Sequence, residues 1–263
     1  MKIGVIGLGL IGGSILQALS AHHEMYAVST SSALDASLYG KTSSEYEILS
    51  ECEVVFVCRP MDKINETLLA LNDIVSEDTI VTEISSVKSF VTKEGLKYKL
   101  ISTHPMAGSE KTGFSASDIN LFKGAKWVIE CENSTLEELI KEMGATPVLC
   151  SNEEQDKACA MISHFPLLAS IVLFDIARDN KYAKLLAASG FRDMTRLASG
   201  SAQMSVDFIK YNTENINQVC ELFIEKLNNL KNLSGDEKMK LFEEIQKQRL
   251  EMYDNEGKNT TTL

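Results

Sequence analysis

One histidine lies where a proton could be transferred to or from a bound molecule. His104 occurs in the segment Ser102-Thr103-His104-Pro105-Met106-Ala107-Gly108, after an apolar strand-like run and before a glycine turn. Histidine accepts a proton near neutral pH more readily than any other side chain. The other three of the four histidines lie in a polar turn or in an apolar run. We therefore predict that His104 is a general base, with a purely structural histidine as the alternative.

Two hydroxyl side chains end another strand-like run. The segment Thr82-Glu83-Ile84-Ser85-Ser86-Val87-Lys88 places Ser85 and Ser86 where a strand gives way to a loop. Small hydroxyls in such a place can hydrogen-bond to a carboxamide or to a substrate alcohol. They can also cap a helix that starts near Ser86. The two roles are compatible, and we predict Ser86 in the same region as His104.

Two arginines are candidates for binding an anionic substrate. The segment Ala188-Ser189-Gly190-Phe191-Arg192-Asp193-Met194-Thr195-Arg196 holds Arg192 and Arg196 four residues apart, on one face if the segment is helical. Arginine binds planar carboxylates in a bidentate manner. The net charge of −11 repels anions, so local cations must attract them. We expect one arginine to bind substrate while the other pairs with Asp193 or a partner subunit.

Glycines near the N-terminus predict a dinucleotide site. Gly7-x-Gly9-x-x-Gly12 follows an apolar strand directly and opens a helix. Gly7 permits the tight turn, Gly9 lets the backbone approach a pyrophosphate, and Gly12 lets helix and strand pack closely. The phosphates would bind at the helix N-terminus. A glycine turn without a ligand is the alternative. The predicted contacts in this loop are Gly7, Leu8, Gly9, Leu10, Ile11 and Gly12.

The end of the second strand bears on which nicotinamide cofactor is bound. An NAD site usually has Asp or Glu there to hold the ribose hydroxyls. This chain has Val28-Ser29-Thr30-Ser31-Ser32, without a carboxylate that would repel a 2′-phosphate. The usual arginine is missing too, and Arg59 is either the replacing cation or a solvated loop residue. We predict NADP rather than NAD. The predicted contacts outside the glycine loop are Ser29, Thr30, Ser31, Cys58, Arg59, Pro60 and Ser85.

The elements that must position these residues indicate an α/β fold. Apolar strands alternate with helices up to residue 150, which is typical of a Rossmann-type, doubly wound parallel sheet. We predict helices at Leu10–Ala21, Ile64–Val75 and Leu136–Met143. The predicted strands are Lys2–Gly7, Met25–Ser29, Val54–Arg59, Thr79–Ile84, Leu100–Thr103, Lys126–Cys131 and Pro147–Cys150.

An all-helical region is predicted after the sheet. Residues 1–150 would form the dinucleotide-binding domain, 151–255 a helical substrate and dimerisation domain, and 256–263 a loose tail. Pro166 should kink the first long helix. An apolar stripe that includes Leu227, Leu230 and Leu241 continues toward the C-terminus. A helical block of this size rarely covers its own apolar faces, so we predict that it pairs with a second copy.

The composition restricts the class of protein. With 263 residues, 44% hydrophobic and 24% charged, the chain is typical of a soluble protein. Its net charge of −11 argues against nucleic acid and anionic membrane as partners. The apolar stretch Met161–Phe174 is too short to span a bilayer, and no signal peptide is recognisable. The six cysteines show no metal-ligand spacing, and we predict buried, reduced thiols in a cytoplasmic protein without a metal.

Five motifs together resemble one enzyme family. The glycine loop, Ser85-Ser86-Val87-Lys88, His104-Pro105-Met106-Ala107-Gly108, Ile162-Ser163-His164-Phe165-Pro166 and Gly190-Phe191-Arg192-Asp193-Met194-Thr195-Arg196 resemble the prephenate/arogenate dehydrogenases of tyrosine biosynthesis. The resemblance runs in order from residue 1 to about 200. The remaining helical part is similar to the family's dimerisation domain in position and size.

The resemblance implies an oxidative decarboxylation. Hydride passes from the carbinol carbon of a cyclohexadienol to the nicotinamide, and the ring carboxylate leaves as CO₂. It further implies that His104 takes the proton of the 4-hydroxyl, that Ser86 contacts the same hydroxyl, and that Arg196 binds a substrate carboxylate. Arg192, His164 and Gly108 are the other substrate contacts expected.

Two departures favour arogenate with NADP over prephenate. Prephenate-preferring members often carry a second histidine where this chain has Leu167. The NADP-using arogenate branch is similar to this chain in having Ser rather than Asp at the position of Ser29. However, those enzymes place an arginine where this chain has Thr30. Prephenate dehydrogenase, with NAD or NADP, therefore remains the alternative.

Two further alternatives lie outside this family. A β-hydroxyacid dehydrogenase would need a catalytic lysine, for which Lys181 and Lys184 are poor candidates in their polar stretch. A protein that senses NADP without turnover would not need an acid/base residue. The joint presence of His104, Ser86 and Arg196 argues against such a sensor.

Overall fold

A central eight-stranded sheet organises the N-terminal half of the protein. The computed structural model describes residues 1–30, 33–109 and 111–258. The strands lie in the order β3-β2-β1-β4-β5-β6-β7-β8. They are β1 Lys2–Ile6, β2 Glu24–Val28, β3 Lys41–Ser43, β4 Val54–Val57, β5 Ile80–Glu83, β6 Lys99–Pro105, β7 Lys126–Ile129 and β8 Thr146–Leu149.

The sheet is parallel from β1 to β6 and reverses at its end. β7 pairs antiparallel with β6, with Thr103 opposite Ile129, and β8 is parallel to β7. The predicted doubly wound α/β fold is therefore confirmed, with a mostly rather than wholly parallel sheet. The carboxyl ends of β1, β2, β4, β5 and β6 all meet at one edge, which is where ligands bind in such sheets.

Apolar residues on both faces of the sheet explain its layers. Alternate residues of β4 point to opposite sides, so Phe56 joins one buried cluster and Val55 joins the other. The first cluster includes Leu16 of helix α1, Leu10–Leu19, and Leu139 of helix α4, Ser134–Glu142. The second includes Ile64 and its neighbours on helix α3, Met61–Ala70. The central strands β1 and β4 are thus buried on both faces, as their near-continuous apolar runs predict, whereas β3 and β8 at the two edges are largely open.

The second half of the described chain is helical, as predicted. No strand occurs within residues 151–258. The short helix α2 lies earlier, at Ala33–Ala36. The later helices are α5 Asn152–Cys159, α6 Phe165–Ala177, α7 Lys181–Leu186, α8 Ser189–Thr195, α9 Ala202–Tyr211, α10 Thr213–Asn232 and α11 Gly235–Lys258.

The first long helical run changes from α to π geometry just before Pro166, where a kink is predicted. A π-helical turn, Ala160–His164, joins α5 to α6, and Pro166 stands in the first turn of α6. Proline has no backbone N–H and its ring crowds the carbonyl four residues earlier. The wider π turn removes that conflict without ending the helix.

The chain divides into two compact units, Met1–Asn215 and Ile216–Leu263. The combined helical run Asn152–Ala177 is long and apolar enough to cross a membrane by length and composition alone, and 28% of its most apolar window is buried. In the first unit Ile162, Ile176 and Leu186 are exposed at 62%, 75% and 73%. Part of this helical surface is therefore apolar and open.

The cysteines differ from the prediction in one respect. All six are free thiols. Cys52 and Cys159 are buried, and Cys58, Cys150 and Cys220 are half-buried. Cys131 is exposed because it lies two residues after the end of β7, where the chain turns into a surface loop. The prediction of buried thiols is right for Cys52 and Cys159, holds in part for the three half-buried cysteines and is wrong for Cys131. Within the described ranges, no three His, Cys, Asp or Glu side chains come together as metal ligands.

Candidate active site

The glycine loop leaves an open cradle at the start of α1. Gly7 has φ of 89°, and a Cβ there would lie 2.4 Å from the Cys58 carbonyl oxygen. A Cβ at Gly12 would lie 2.0 Å from the carbonyl oxygen of Gly7. At Gly9, by contrast, an added Cβ would meet nothing within 4 Å. No described side chain caps α1, so its first amides face this space and fit a pyrophosphate.

The end of the cradle where the adenine is predicted to bind carries hydroxyls and one arginine. Ser29 is half-buried, and its backbone N–H donates to Ser43 at 3.0 Å, while Thr30 is exposed. Ser31 lies outside the described residues. Arg59 follows Cys58 at the end of β4, and its Cδ is 3.4 Å from the place of a Gly7 Cβ.

Two neighbouring strands bring the predicted catalytic residues to the same edge. Glu83 of β5 stands opposite Ser102 of β6, and the hydroxyls of Thr82 and Thr103 are 2.9 Å apart in the core. His104 is the next residue of β6. Ser86 follows three residues after the end of β5. Residues 84–98 contain no helix, so the predicted helix cap near Ser86 is wrong: the chain turns here through polar side-chain contacts.

A buried ion pair shapes the loop that carries Ser86. Lys88 Nζ donates to Glu83 Oε1 at 2.7 Å and to the Thr103 carbonyl at 2.6 Å, and both charged side chains are fully buried. The other carboxylate oxygen of Glu83 accepts from the Ser85 backbone at 2.8 Å and from its hydroxyl. Burial lowers the pKa of Lys88, against the attraction of Glu83. Ser85 is therefore hydrogen-bonded within the loop, and its contact with the cofactor stays a prediction.

One carboxylate on α5 holds the same loop from the other side. Asp156 accepts from the backbone N–H groups of Lys88 at 2.7 Å and Ser89 at 2.8 Å. The residue is 2% exposed, and burial raises its carboxyl pKa while the two amides oppose the change. Ser86 thus lies between a fixed strand end and a fixed pair of amides.

The ring of His104 lies against α5. Gln155 Nε2 is 3.4 Å from His104 Nδ1, and Cys159 Sγ is 3.9 Å from the same atom. Burial lowers the pKa of His104 well below its usual 6.5, and the charge of Lys88 and then His164 lower it further. Burial also raises the pKa of the Cys159 thiol to about 11. The imidazole is therefore neutral at pH 7 and able to accept a proton.

His164 is a second histidine of this region, and it is buried. It is 1% exposed, stacks on Phe208 with ring centroids 4.5 Å apart, and lies 3.1 Å from Asn212 Nδ2 through its Nδ1. Burial lowers the pKa of His164 to about 4. Its Nε2 is buried and has no partner among the described residues. A buried ring nitrogen without a partner is able to form a hydrogen bond with a bound ligand.

The remaining predicted substrate contacts lie at the surface. Arg192 is on α8, with Nε 3.7 Å from Asp193, whereas Arg196 begins the following 3₁₀ turn. Both arginines are exposed, and the helix ends between them, so they do not share the continuous helical face predicted. Gly108 is also exposed, in the loop after β6.

Comparisons with known proteins agree on one family across both halves of the chain. Residues 23–146 match the family model described as "Prephenate dehydrogenase, nucleotide-binding domain", and residues 151–248 match "Prephenate dehydrogenase, dimerization domain". A prephenate dehydrogenase of Lactococcus lactis is 32% identical over 98% of this chain and 75% of its own length. The chain belongs to the prephenate dehydrogenase family. It is therefore an NAD(P)-dependent dehydrogenase that binds a pyridine nucleotide.

Two solved structures of similar proteins have the same fold as this family member. Arogenate dehydrogenase of Synechocystis superposes with a TM-score of 0.83 at 27% identity, covering 96% of this chain and all of its own. Prephenate dehydrogenase of Aquifex aeolicus, in complex with hydroxyphenyl propionate and NAD⁺, gives 0.87 at 25% identity, covering 96% and 98%. The alternative of a β-hydroxyacid dehydrogenase is thereby wrong; Lys181 and Lys184 are exposed on α7.

Sequence reasoning missed the polar residues that support this dehydrogenase site. Glu83 and Lys88 flank Ser85 and Ser86 in the sequence, but nothing in their spacing indicates that the two charges pair. Gln155 and Asp156 directly follow an acidic helix start, Ser151-Asn152-Glu153-Glu154, where charges are usually solvated. The available signal was amphipathicity, because both residues fall on the buried face of α5.

Proposed function

We propose that this enzyme oxidises arogenate to tyrosine and CO₂ with NADP as hydride acceptor. The observation that carries the proposal is the end of β2, where Ser29 and Thr30 stand in place of a carboxylate. A carboxylate there would repel a 2′-phosphate, whereas hydroxyl and backbone N–H groups can donate to it.

Arg59 supports the choice of NADP. Its Nε is buried and has no hydrogen-bond partner in the described part of the chain. An unpaired buried guanidinium nitrogen costs free energy that an anionic ligand would recover. Arg59 lies against the Gly7 turn, and its guanidinium is the positive charge for the 2′-phosphate. The similar NADP-using enzymes have that charge on an arginine at the position of Thr30.

Leu167 supports arogenate as the substrate. This residue is 9% exposed on α6, one turn after His164, and it offers no polar atom. A second histidine at this position could donate a hydrogen bond to the keto group of the prephenate side chain. Leucine has no donor for that group. Prephenate is the second candidate, because the Lactococcus lactis relative and the Aquifex aeolicus neighbour are both named prephenate dehydrogenases.

The proposed chemistry divides among three residues. His104, neutral because its pKa is lowered, accepts the proton of the substrate 4-hydroxyl, and Ser86 orients that hydroxyl. Arg196 binds a carboxylate of the substrate, with Arg192 nearby in sequence. The bound nicotinamide supplies the hydride acceptor. Loss of the ring carboxylate as CO₂ makes an aromatic ring, so the reaction does not reverse.

We further propose that the enzyme acts as a homodimer in the cytoplasm. Each of the two units leaves large apolar side chains exposed, among them Ile176 at 75% in the first and Phe242 at 51% in the second. Exposed apolar surface of this extent is typical of an interface. The match of residues 151–248 to a dimerisation domain favours a second copy as its cover.

A four-way steady-state assay tests the substrate and cofactor. Arogenate or prephenate is combined with NADP or NAD, and formation of reduced nicotinamide is followed. We expect turnover chiefly with arogenate and NADP. A preference for prephenate with NAD would show that Ser29 and Leu167 do not set specificity.

The role of His104 has its own test. His104→Asn should abolish turnover and leave cofactor affinity intact. Turnover within tenfold of wild type would overturn the role of His104.

A further inference from the structure

One buried amide joins the two residues proposed for catalysis. Gln155 is 2% exposed, and its Nε2 lies 3.4 Å from the Ser86 carbonyl oxygen and 3.4 Å from His104 Nδ1. Its backbone is fixed, since Ser151 caps α5 through a reciprocal capping box with Glu154. The amide thus reaches the site from a rigid helix rather than from a loop.

The amide oxygen of Gln155 is an unsatisfied acceptor in this arrangement. Oε1 is buried and has no hydrogen-bond partner among the described residues. An unsatisfied buried acceptor costs about 1–3 kcal/mol. Rotation of the amide by half a turn exchanges Oε1 and Nε2, two atoms that differ little in shape. In one orientation the amide donates to the Ser86 carbonyl and to His104 Nδ1. In the other it accepts from His104 Nδ1 and gives up its bond to the Ser86 carbonyl.

The proposed reaction requires one of these two orientations of the Gln155 amide. Nδ1 of His104 faces Gln155 and Cys159, so Nε2 is the nitrogen left for the substrate. A neutral imidazole carries one proton, and Nε2 can accept another only when that proton is on Nδ1. Nδ1–H then needs an acceptor. The Cys159 thiol is a weak one, whereas the Gln155 oxygen is a good one.

We propose that Gln155 is a positioning residue that accepts the Nδ1–H of His104 and so keeps Nε2 free to take the substrate proton. This inference rests on the proposed role of His104 as the base. When the ring becomes doubly protonated, the same oxygen holds the Nδ1–H, and the ring does not turn. The charged or titratable groups facing His104 are Lys88 from the loop after β5, His164 from the π turn and Cys159 from α5.

The test compares Gln155→Met with Gln155→Glu. Loss of the acceptor in Gln155→Met should lower kcat by about 10- to 100-fold, the usual effect of losing a group that orients a histidine. KM should change little, because the substrate contacts remain. In Gln155→Glu a carboxylate beside Nδ1–H favours the imidazolium, so the acidic limb of the kcat/KM profile should move up by about one pH unit or more. Gln203→Met, an exposed glutamine on α9 that bonds to Asp207, is the matched control.

A spectroscopic measurement keeps the test independent of turnover. Nitrogen-15 spectra of the free enzyme distinguish the two histidine tautomers, and His104→Asn assigns the signal among four histidines. We expect the Nδ1–H form in wild type and its loss in Gln155→Met. The Nε2–H form in wild type, or a kcat of Gln155→Met within twofold of wild type, would overturn the proposal.

Two variants separate this inference from the proposed function. Adding Gln155→Met to His104→Asn should cause no further loss of kcat, since the glutamine acts only through the ring. If His104→Asn remained active, the role of His104 would fail first. If His104→Asn were inactive and Gln155→Met behaved like Gln203→Met, only the role of Gln155 would fail.

Discussion

Replacing Lys88 by methionine should destabilise the protein far more than the loss of one surface charge. Its Nζ bonds at 2.7 Å to Glu83 and at 2.6 Å to the Thr103 carbonyl, and both members of the pair are 0% exposed. Lys88→Met leaves a carboxylate buried without its cation and a carbonyl without its donor. Breaking a buried pair in this way costs about 3–5 kcal/mol. That is a large share of the roughly 5–15 kcal/mol that holds a folded protein together.

Urea unfolding followed by tryptophan fluorescence measures this loss. Trp127 is the single tryptophan, is fully buried, and packs against Phe122 at 4.9 Å between ring centroids, so it reports on the sheet. With a slope on the order of 3 kcal/mol per molar urea, the midpoint should fall by about 1–1.7 M. Lys63→Met is the control, because Lys63 pairs with Glu66 on the surface and should change stability by less than about 0.5 kcal/mol.

The double variant decides whether the pair is the cause. Glu83→Gln combined with Lys88→Met removes both charges, and its destabilisation should be smaller than the sum of the two single changes. A loss below about 1 kcal/mol for Lys88→Met would refute the reasoning, and so would full additivity in the double variant.

Three further predictions concern the glycine loop, His104 and His164. Gly12→Ala should unfold the loop region, because its Cβ would lie 2.0 Å from the Gly7 carbonyl oxygen. Gly9→Ala should have the melting temperature of wild type and yet bind the cofactor more weakly, because its Cβ meets nothing within 4 Å. Equal melting temperatures of the two variants would contradict this difference between the two glycines. The pKa of His104 is lowered, so the acidic limb of kcat/KM should lie below pH 6.5, and a limb above pH 6.5 would contradict a lowered pKa of the base. As pH falls from 6.5 toward 4, His164 becomes protonated in the unfolded chain but stays neutral in the folded protein. The free energy of unfolding therefore decreases as the pH falls. Between pH 7.5 and 4.5 wild type should lose about 2–3 kcal/mol more than His164→Gln in urea unfolding, and equal losses would contradict the lowered pKa.

The sequence predicted those parts of the fold that depend on local patterns. Apolar runs located seven of the eight strands, and the glycine spacing located a turn that only glycine tolerates, with Gly7 at φ of 89°. β3, Lys41–Ser43, was missed because this short edge strand has no apolar pattern. The reversal of β7 was missed because an alternating pattern is the same in both strand directions.

The candidate site was less predictable because its support comes from distant segments. His104 and Ser86 were recognisable as residues with suitable chemistry beside strand ends. The contact of Gln155 with both required α5 to lie over the sheet edge, and no spacing in the sequence specifies that. The positions of Arg192 and Arg196 depended on where α8 ends, which propensity rarely predicts to the residue.

The two charge-assisted bonds of Asp156 have a consequence for recombination between relatives. The two family models divide the chain near residue 150, which is the natural crossover point for a chimera. Asp156 lies beyond that point, yet its carboxylate holds the amides of Lys88 and Ser89. A chimera therefore inherits a working Ser86 loop only if α5 and the loop come from parents that share this contact. Exchange of the two halves should tolerate wide divergence elsewhere and little at this one junction.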